Sequence, residues 1–108
     1  MEQRRVTMDD IRVVIDRLIM AANPRKIILF GSYARGEETA DSDVDIMVIE
    51  DSVEHQGLEM VRLRKAAGRI ALGVGIDILV YPTEKITDPV PGTVLYWALT
   101  EGKVMYEC

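Results

Sequence analysis

The stretch Lys26-Ile27-Ile28-Leu29-Phe30-Gly31-Ser32-Tyr33-Ala34-Arg35-Gly36, followed after a short polar link by Ser42-Asp43-Val44-Asp45-Ile46-Met47-Val48-Ile49, organises the rest of this 108-residue chain. Lys26 to Phe30 is β-branched, aliphatic and aromatic and is bounded by Pro24 and Gly31, too short for a helix and suited to a strand. Gly31 then permits close backbone approach. Backbone N–H groups and the Ser32 hydroxyl, at the head of a short helical turn, can face phosphate oxygens. Arg35 can neutralise phosphate or brace the loop through an ion pair, and the sequence leaves both open. Val44 to Ile49 is continuously apolar, which predicts a strand covered on both faces.

Asp43 and Asp45 stand at the start of that strand, two residues apart and about 6.5 Å along the chain, so their side chains share a face and can converge on a cation. Asp51 has the same parity but lies about 20 Å beyond Asp45 in an extended strand and cannot join them. Hard carboxylate oxygens suit Mg²⁺, which is commonly held by a few carboxylates plus substrate phosphates. Zinc is not expected, because the softer ligands are His55 and Cys108. His55 reads as a surface residue near a helix start, and Cys108 as an incidental thiol.

A third carboxylate would complete a two-metal site for phosphoryl transfer. Asp77 is the candidate, as the acid between Glu59 and Glu84 and set inside the apolar run Ile76 to Tyr81. Taken alone it could equally lie at an exposed sheet edge or pair with an arginine. With Asp43 and Asp45 present, the metal role is favoured.

Around this centre, Thr7 is expected to cap a helix from Met8 to the Asn23-Pro24 break, with Ile11, Val14, Ile15, Leu18 and Ile19 forming one apolar stripe. A second helix is expected from about Gln56 to Ala71, with Met60, Leu63, Ala67, Ile70 and Ala71 inward and Gly73 and Gly75 ending it. Arg62, Lys65 and Arg69 would form a basic stripe, either a solvated face or a contact for phosphates or an acidic partner. Ile76 to Tyr81 reads as a third strand ended by Pro82, Thr83 to Pro91 as a loop, Thr93 to Glu101 as a capped helix stopped by Gly102, and Lys103 to Tyr106 as a last strand. Helices interspersed with short strands imply an α/β (α+β) sandwich around a small mixed sheet of three to four strands, and the length implies one domain over residues 1–108.

Hydrophobic residues make up 48% of the chain and charged residues 29%, an ordinary globular balance that does not suggest disorder. No apolar run approaches a membrane span and Met1 to Arg5 has no signal-peptide core after it, so the cytoplasm is the expected compartment. The net charge of −5 weighs against direct nucleic-acid binding. Nine acids and no lysine or arginine lie between Gly36 and Val61, an electronegative region suited to attracting cations.

Gly31-Ser32-x-Ala34-Arg35-Gly36, Ser42-Asp43-x-Asp45 and the later Asp77 together resemble the signature of the DNA polymerase beta nucleotidyltransferase superfamily. The small size and the Ala-Arg-Gly form of the turn are similar to the minimal nucleotidyltransferases, often antitoxins paired with HEPN-domain toxins. The resemblance implies the nucleotidyltransferase fold, with Gly31 and Ser32 binding a nucleoside triphosphate, and Asp43, Asp45 and Asp77 serving as catalytic residues that hold two Mg²⁺ ions. Asp77 would also help activate the acceptor hydroxyl. It further implies ATP as substrate and AMP transfer to a tyrosine of a partner HEPN toxin, the acceptor surface coming from another chain in a homo- or hetero-oligomer. Two alternatives stand beside this: a non-catalytic module that neutralises a toxin by binding it, and a nucleotidyltransferase for a small molecule such as an aminoglycoside.

Overall fold

A computed structural model describes residues 6–39, 41–70 and 74–108. Helix α1 (Met8–Ala22) starts at Thr7, whose hydroxyl accepts from the Asp10 N–H while the Asp10 carboxylate accepts from the Thr7 N–H, a reciprocal capping box. It ends at Asn23 in the left-handed conformation, ahead of Pro24. Ile11, Val14, Ile15 and Leu18 are fully buried, so the 3.6-residue periodicity does face the core.

Four strands form one mixed sheet in the order β3-β2-β1-β4: β1 (Lys26–Phe30), β2 (Val44–Glu50), β3 (Ile76–Pro82) and β4 (Lys103–Glu107). Strand β1 is antiparallel to both β2 and β4, whereas β2 and β3 are parallel. A parallel pair needs a crossover, and α3 (Gln56–Ala67) provides it.

Alternation along the strands sorts their side chains onto two faces. Ile27, Leu29, Val44, Ile46, Val48, Ile76, Ile78 and Val80 join the buried α1 and α3 residues, including Leu63 and Ala67, in the main core. On the other face Ile28, Met47 and Ile49 pack with Ala98 of α4 (Val94–Glu101) in a smaller core. Truncating Leu63 to alanine in the main core costs about 2–5 kcal/mol.

The second helix is shorter than its apolar pattern implies. It ends at Ala67 because Gly68 adopts φ +70°, a conformation that interrupts α-helix and favours glycine. Ile70 is still buried against the core, but from beyond the helix, and Arg69 is no longer on the helical face with Arg62 and Lys65. Ala71 and Gly73, assigned to the helix end and its break, lie outside the described residues, as do Met1 to Arg5. The stretch after β3 opens with a short 3₁₀ turn, Thr83–Lys85, before the proline-punctuated loop. Thr93 caps α4 by accepting from the Tyr96 N–H, and Gly102 follows its end as expected. Among the described residues no helix is long and apolar enough to cross a membrane.

Candidate active site

Asp45 is opposite Asp77 in the parallel β2–β3 register and opposite Phe30 in the antiparallel β1–β2 register. Phe30, Asp45 and Asp77 therefore form one row across the sheet, on the face that carries α4 rather than α1 and α3. Adjacent strands lie about 4.8 Å apart, so the two carboxyl groups are neighbours through register rather than through chain proximity. Their side chains are close enough for the charge of Asp77 to act directly on Asp45.

Burial pushes the Asp45 carboxyl up to about 6, reinforced by the negative charges of Asp77 and Asp43 and opposed by the Arg35 guanidinium. A half-buried carboxylate beside two more carboxylates is held in place by the fold against its own electrostatics. Such an arrangement favours a bound cation.

Two glycines form the walls behind these acids. Gly31 has φ +74° and ψ −154°, a region open essentially to glycine, and a Cβ there would collide with the Oδ2 of Asp45. Gly75 donates its N–H to Asp43 Oδ1 at 3.1 Å, and its carbonyl accepts from the Val44 N–H at 2.9 Å. Asp43, one residue ahead of β2, is thus clipped to the residue ahead of β3. A Cβ at position 75 would stand 2.8 Å from that Asp43 oxygen.

Gly31 leads directly into α2 (Ser32–Arg35), a single helical turn closed by Gly36 in the left-handed conformation. The Gly31 carbonyl accepts from the Ala34 N–H at 3.1 Å and the Arg35 N–H at 3.2 Å, which closes the turn and sets Ser32 directly after the glycine that packs against Asp45. Arg35 is in the ion pair that sequence reading left open, its Nε donating to Glu37 Oε1 at 2.6 Å. It also lines a cavity of about 280 Å³ with Gly31, Trp97 and Glu101. A larger cavity of about 480 Å³ opens on Asp45 and Asp77.

The sequence pattern of the family described as "Polymerase beta, Nucleotidyltransferase" matches residues 13–108. The chain belongs to this nucleotidyltransferase family. Three proteins of Methanocaldococcus jannaschii, each named "putative protein adenylyltransferase", are similar to this nucleotidyltransferase. One is 33% identical over 76% of this chain and 78% of its own length. A second is 43% identical over 51% and 55%, and a third 32% identical over 70% and 80%. The crystal structure of a "putative nucleotidyltransferase" from Sulfolobus solfataricus shares the fold, with a TM-score of 0.55 at 16% identity over 99% of this chain and 92% of that one.

In this nucleotidyltransferase the three acids are not assembled into a closed cage. Among the described residues no three histidine, cysteine or acidic side chains are placed to hold one ion. Asp45 and Asp77 are brought together, while Asp43 has one oxygen turned to the Gly75 amide. The donor set still fits a hard divalent cation. Magnesium keeps several waters and needs only one or two carboxylates besides substrate oxygens.

Asp77 is exposed on β3, an edge strand, which is one of the placements the sequence left open, and its register sets it opposite Asp45. Gly75 was expected only to break a helix; its hydrogen bond to Asp43 has no signal in the sequence beyond a glycine two residues before Asp77. His55 is exposed at the N-terminal cap of α3, and Cys108 is an exposed free thiol, as anticipated.

Of the expected basic stripe, Arg62 is committed to the fold. It donates to both carboxylate oxygens of Glu59 at 2.7 Å and to the Ala21 carbonyl at 2.9 Å, tying α3 to the last turn of α1. Lys65 and Arg69 are exposed.

Proposed function

We propose that this chain transfers AMP from ATP to a tyrosine hydroxyl of a partner HEPN toxin and thereby acts as its antitoxin, with two Mg²⁺ ions held by Asp43, Asp45 and Asp77. The register pair Asp45–Asp77 beside the Gly31–Ser32 turn carries this reading, because it sets the acids next to a surface suited to phosphate. The name protein adenylyltransferase borne by the Methanocaldococcus relatives supports a protein acceptor.

Gly31 and Ser32 receive the triphosphate, and Arg35, exposed and paired with Glu37, can exchange that partner for a phosphate oxygen. Bound magnesium supplies charge neutralisation at the phosphates. Asp77, the more exposed of the facing pair, accepts the proton of the incoming hydroxyl. Catalysis then rests on positioning and electrostatic stabilisation, as in phosphoryl transfer generally.

Incubating the chain with labelled ATP, Mg²⁺ and the HEPN protein encoded beside it is expected to label that protein on tyrosine. Neutralisation that survives Asp43→Asn together with Asp45→Asn would instead assign the antidote effect to binding alone. Labelling of an aminoglycoside with no protein acceptor present would move the activity to small molecules.

A further inference from the structure

Two cavities flank the acid row, and Phe30 and Val94 line both. The smaller reaches the phosphate turn through Gly31 and Arg35 and is lined on its other side by Trp97 of α4. The larger starts at Asp45 and Asp77 and continues over the β3 edge to Met60, Val61 and Arg64 of α3. Resting on the nucleotidyl transfer proposed above, their positions are not equivalent. In-line displacement requires the attacking oxygen to enter opposite the departing pyrophosphate. The turn that receives pyrophosphate follows β1, Asp45 is on the central strand β2, and Asp77 is on β3. The line of attack therefore leaves the sheet over β3.

We propose that the cavity between β3 and α3 receives the acceptor side chain, and that its wall of Met60, Val61 and Leu79 selects an aromatic hydroxyl over an aliphatic one. An aromatic ring is desolvated favourably against these side chains, while only its hydroxyl must reach the polar end at Asp77. Arg64 places a positive charge in the same wall, suited to a carboxylate flanking the acceptor tyrosine. In the reaction the phenolic O–H bond breaks and its proton passes to the Asp77 carboxylate. The oxygen forms a bond to the α-phosphorus, and the bond from that phosphorus to the bridging oxygen breaks, its electron pair leaving with pyrophosphate.

The test is a methyl NMR titration of the full chain, with Mg²⁺ and a non-hydrolysable ATP analogue, using N-acetyl-tyrosinamide as acceptor probe. Binding is expected to shift the methyl signals of Met60, Val61 and Leu79 and to leave the Trp97 indole unmoved, and N-acetyl-serinamide is expected to bind at least tenfold more weakly. Val61 is 53% exposed, so Val61→Trp can fill the cavity from its rim, weakening tyrosinamide binding at least tenfold with less than a twofold change for the ATP analogue. Shifts at Trp97 instead, no shifts at all, or displacement of the ATP analogue by Val61→Trp would overturn the assignment. Tyrosinamide bound at Val61 with no AMP transfer to it from ATP would keep the pocket and remove the nucleotidyltransferase reading. AMP transfer to tyrosinamide that Val61→Trp leaves unchanged would do the reverse.

Discussion

Gly31 and Asp45 are packed so tightly that a side-chain carbon on the first would take the place of a carboxylate oxygen of the second. Backbone conformation and contact exclude substitution independently, since φ +74° with ψ −154° is also costly for any residue with a Cβ. Gly31→Ala is expected to lower stability by about 1–3 kcal/mol in denaturant unfolding. It should also reduce AMP transfer far more than Ser32→Ala, because it moves Asp45 as well as the turn. Equal losses in the two variants would show that the contact with Asp45 does not matter.

Asp45 opposes the stability of the metal-free fold. Its carboxyl is raised to about 6 from an unfolded value near 3.8, so the penalty is absent below about pH 4, grows between 4 and 6, and is complete above. Asp45→Asn is therefore expected to raise the melting temperature of metal-free protein at pH 8. Discounted for solvent screening, the effect is about 1–2 kcal/mol, or roughly 4–8 °C for a chain of this size. The same variant should lose the stabilisation that Mg²⁺ and ATP give the wild type, about 2.7 kcal/mol at a hundredfold excess over Kd. A full ligand response in Asp45→Asn would remove this residue from the metal site.

Gly75 holds Asp43 through a backbone hydrogen bond. Gly75→Ala would bring a carbon to 2.8 Å from Asp43 Oδ1, and that carboxylate must move away. The expected result is a weaker Mg²⁺ dependence, read as a several-fold rise in the Mg²⁺ concentration giving half the thermal shift, with ATP-independent stability lowered by about 1 kcal/mol. An unchanged Mg²⁺ midpoint would show that Asp43 needs no such clip.

Glu50 and Glu59 share a hydrogen bond at the far end of β2, and their titrations move in opposite directions. Burial and the bond to Glu59 raise Glu50 to about 7, while Arg62 and then Glu50 lower Glu59 to about 2. Glu50 Oε2 is buried without a partner. The Glu59 contribution is present above about pH 4.5 and lost as pH falls toward 2, whereas the Glu50 penalty appears as pH rises from 4.5 through 7. The pair therefore stabilises most near pH 5. Glu50→Gln, which can donate permanently to Glu59, should be more stable than wild type by about 1 kcal/mol at pH 8 and equal to it at pH 5 in thermal melts. Mg²⁺ should not alter this difference, which separates it from the Asp45 effect.

The elements themselves were legible in the sequence because their signals are local. Thr7 and Thr93 cap helices through hydroxyls three residues from the amides they satisfy, β1 is bounded by Pro24 and Gly31, and β2 is a continuously apolar run that is buried on both faces. Spacing alone predicts that Asp43 and Asp45 share a strand face, whereas Asp43 lies one residue ahead of β2 and its carboxylate accepts from the Gly75 N–H. Where a local signal was ambiguous the reading failed: the apolar residues through Ile70 continue the helical pattern, and only the backbone conformation of Gly68 ends α3 earlier.

What tertiary structure decided is which distant groups meet. Asp45 faces Asp77 because β2 and β3 run parallel in one particular register, and a slip of one residue would send Asp77 into the core between the sheet and its helices. The Gly75 amide finds Asp43 across 32 residues, and Arg62 crosses to the end of α1. None of these pairings has a periodicity to betray it. They depend on strand order and crossover, which arise from burying both faces of the sheet at once, so the sequence named the three acids while the fold chose their neighbours and opened the cavity beside them.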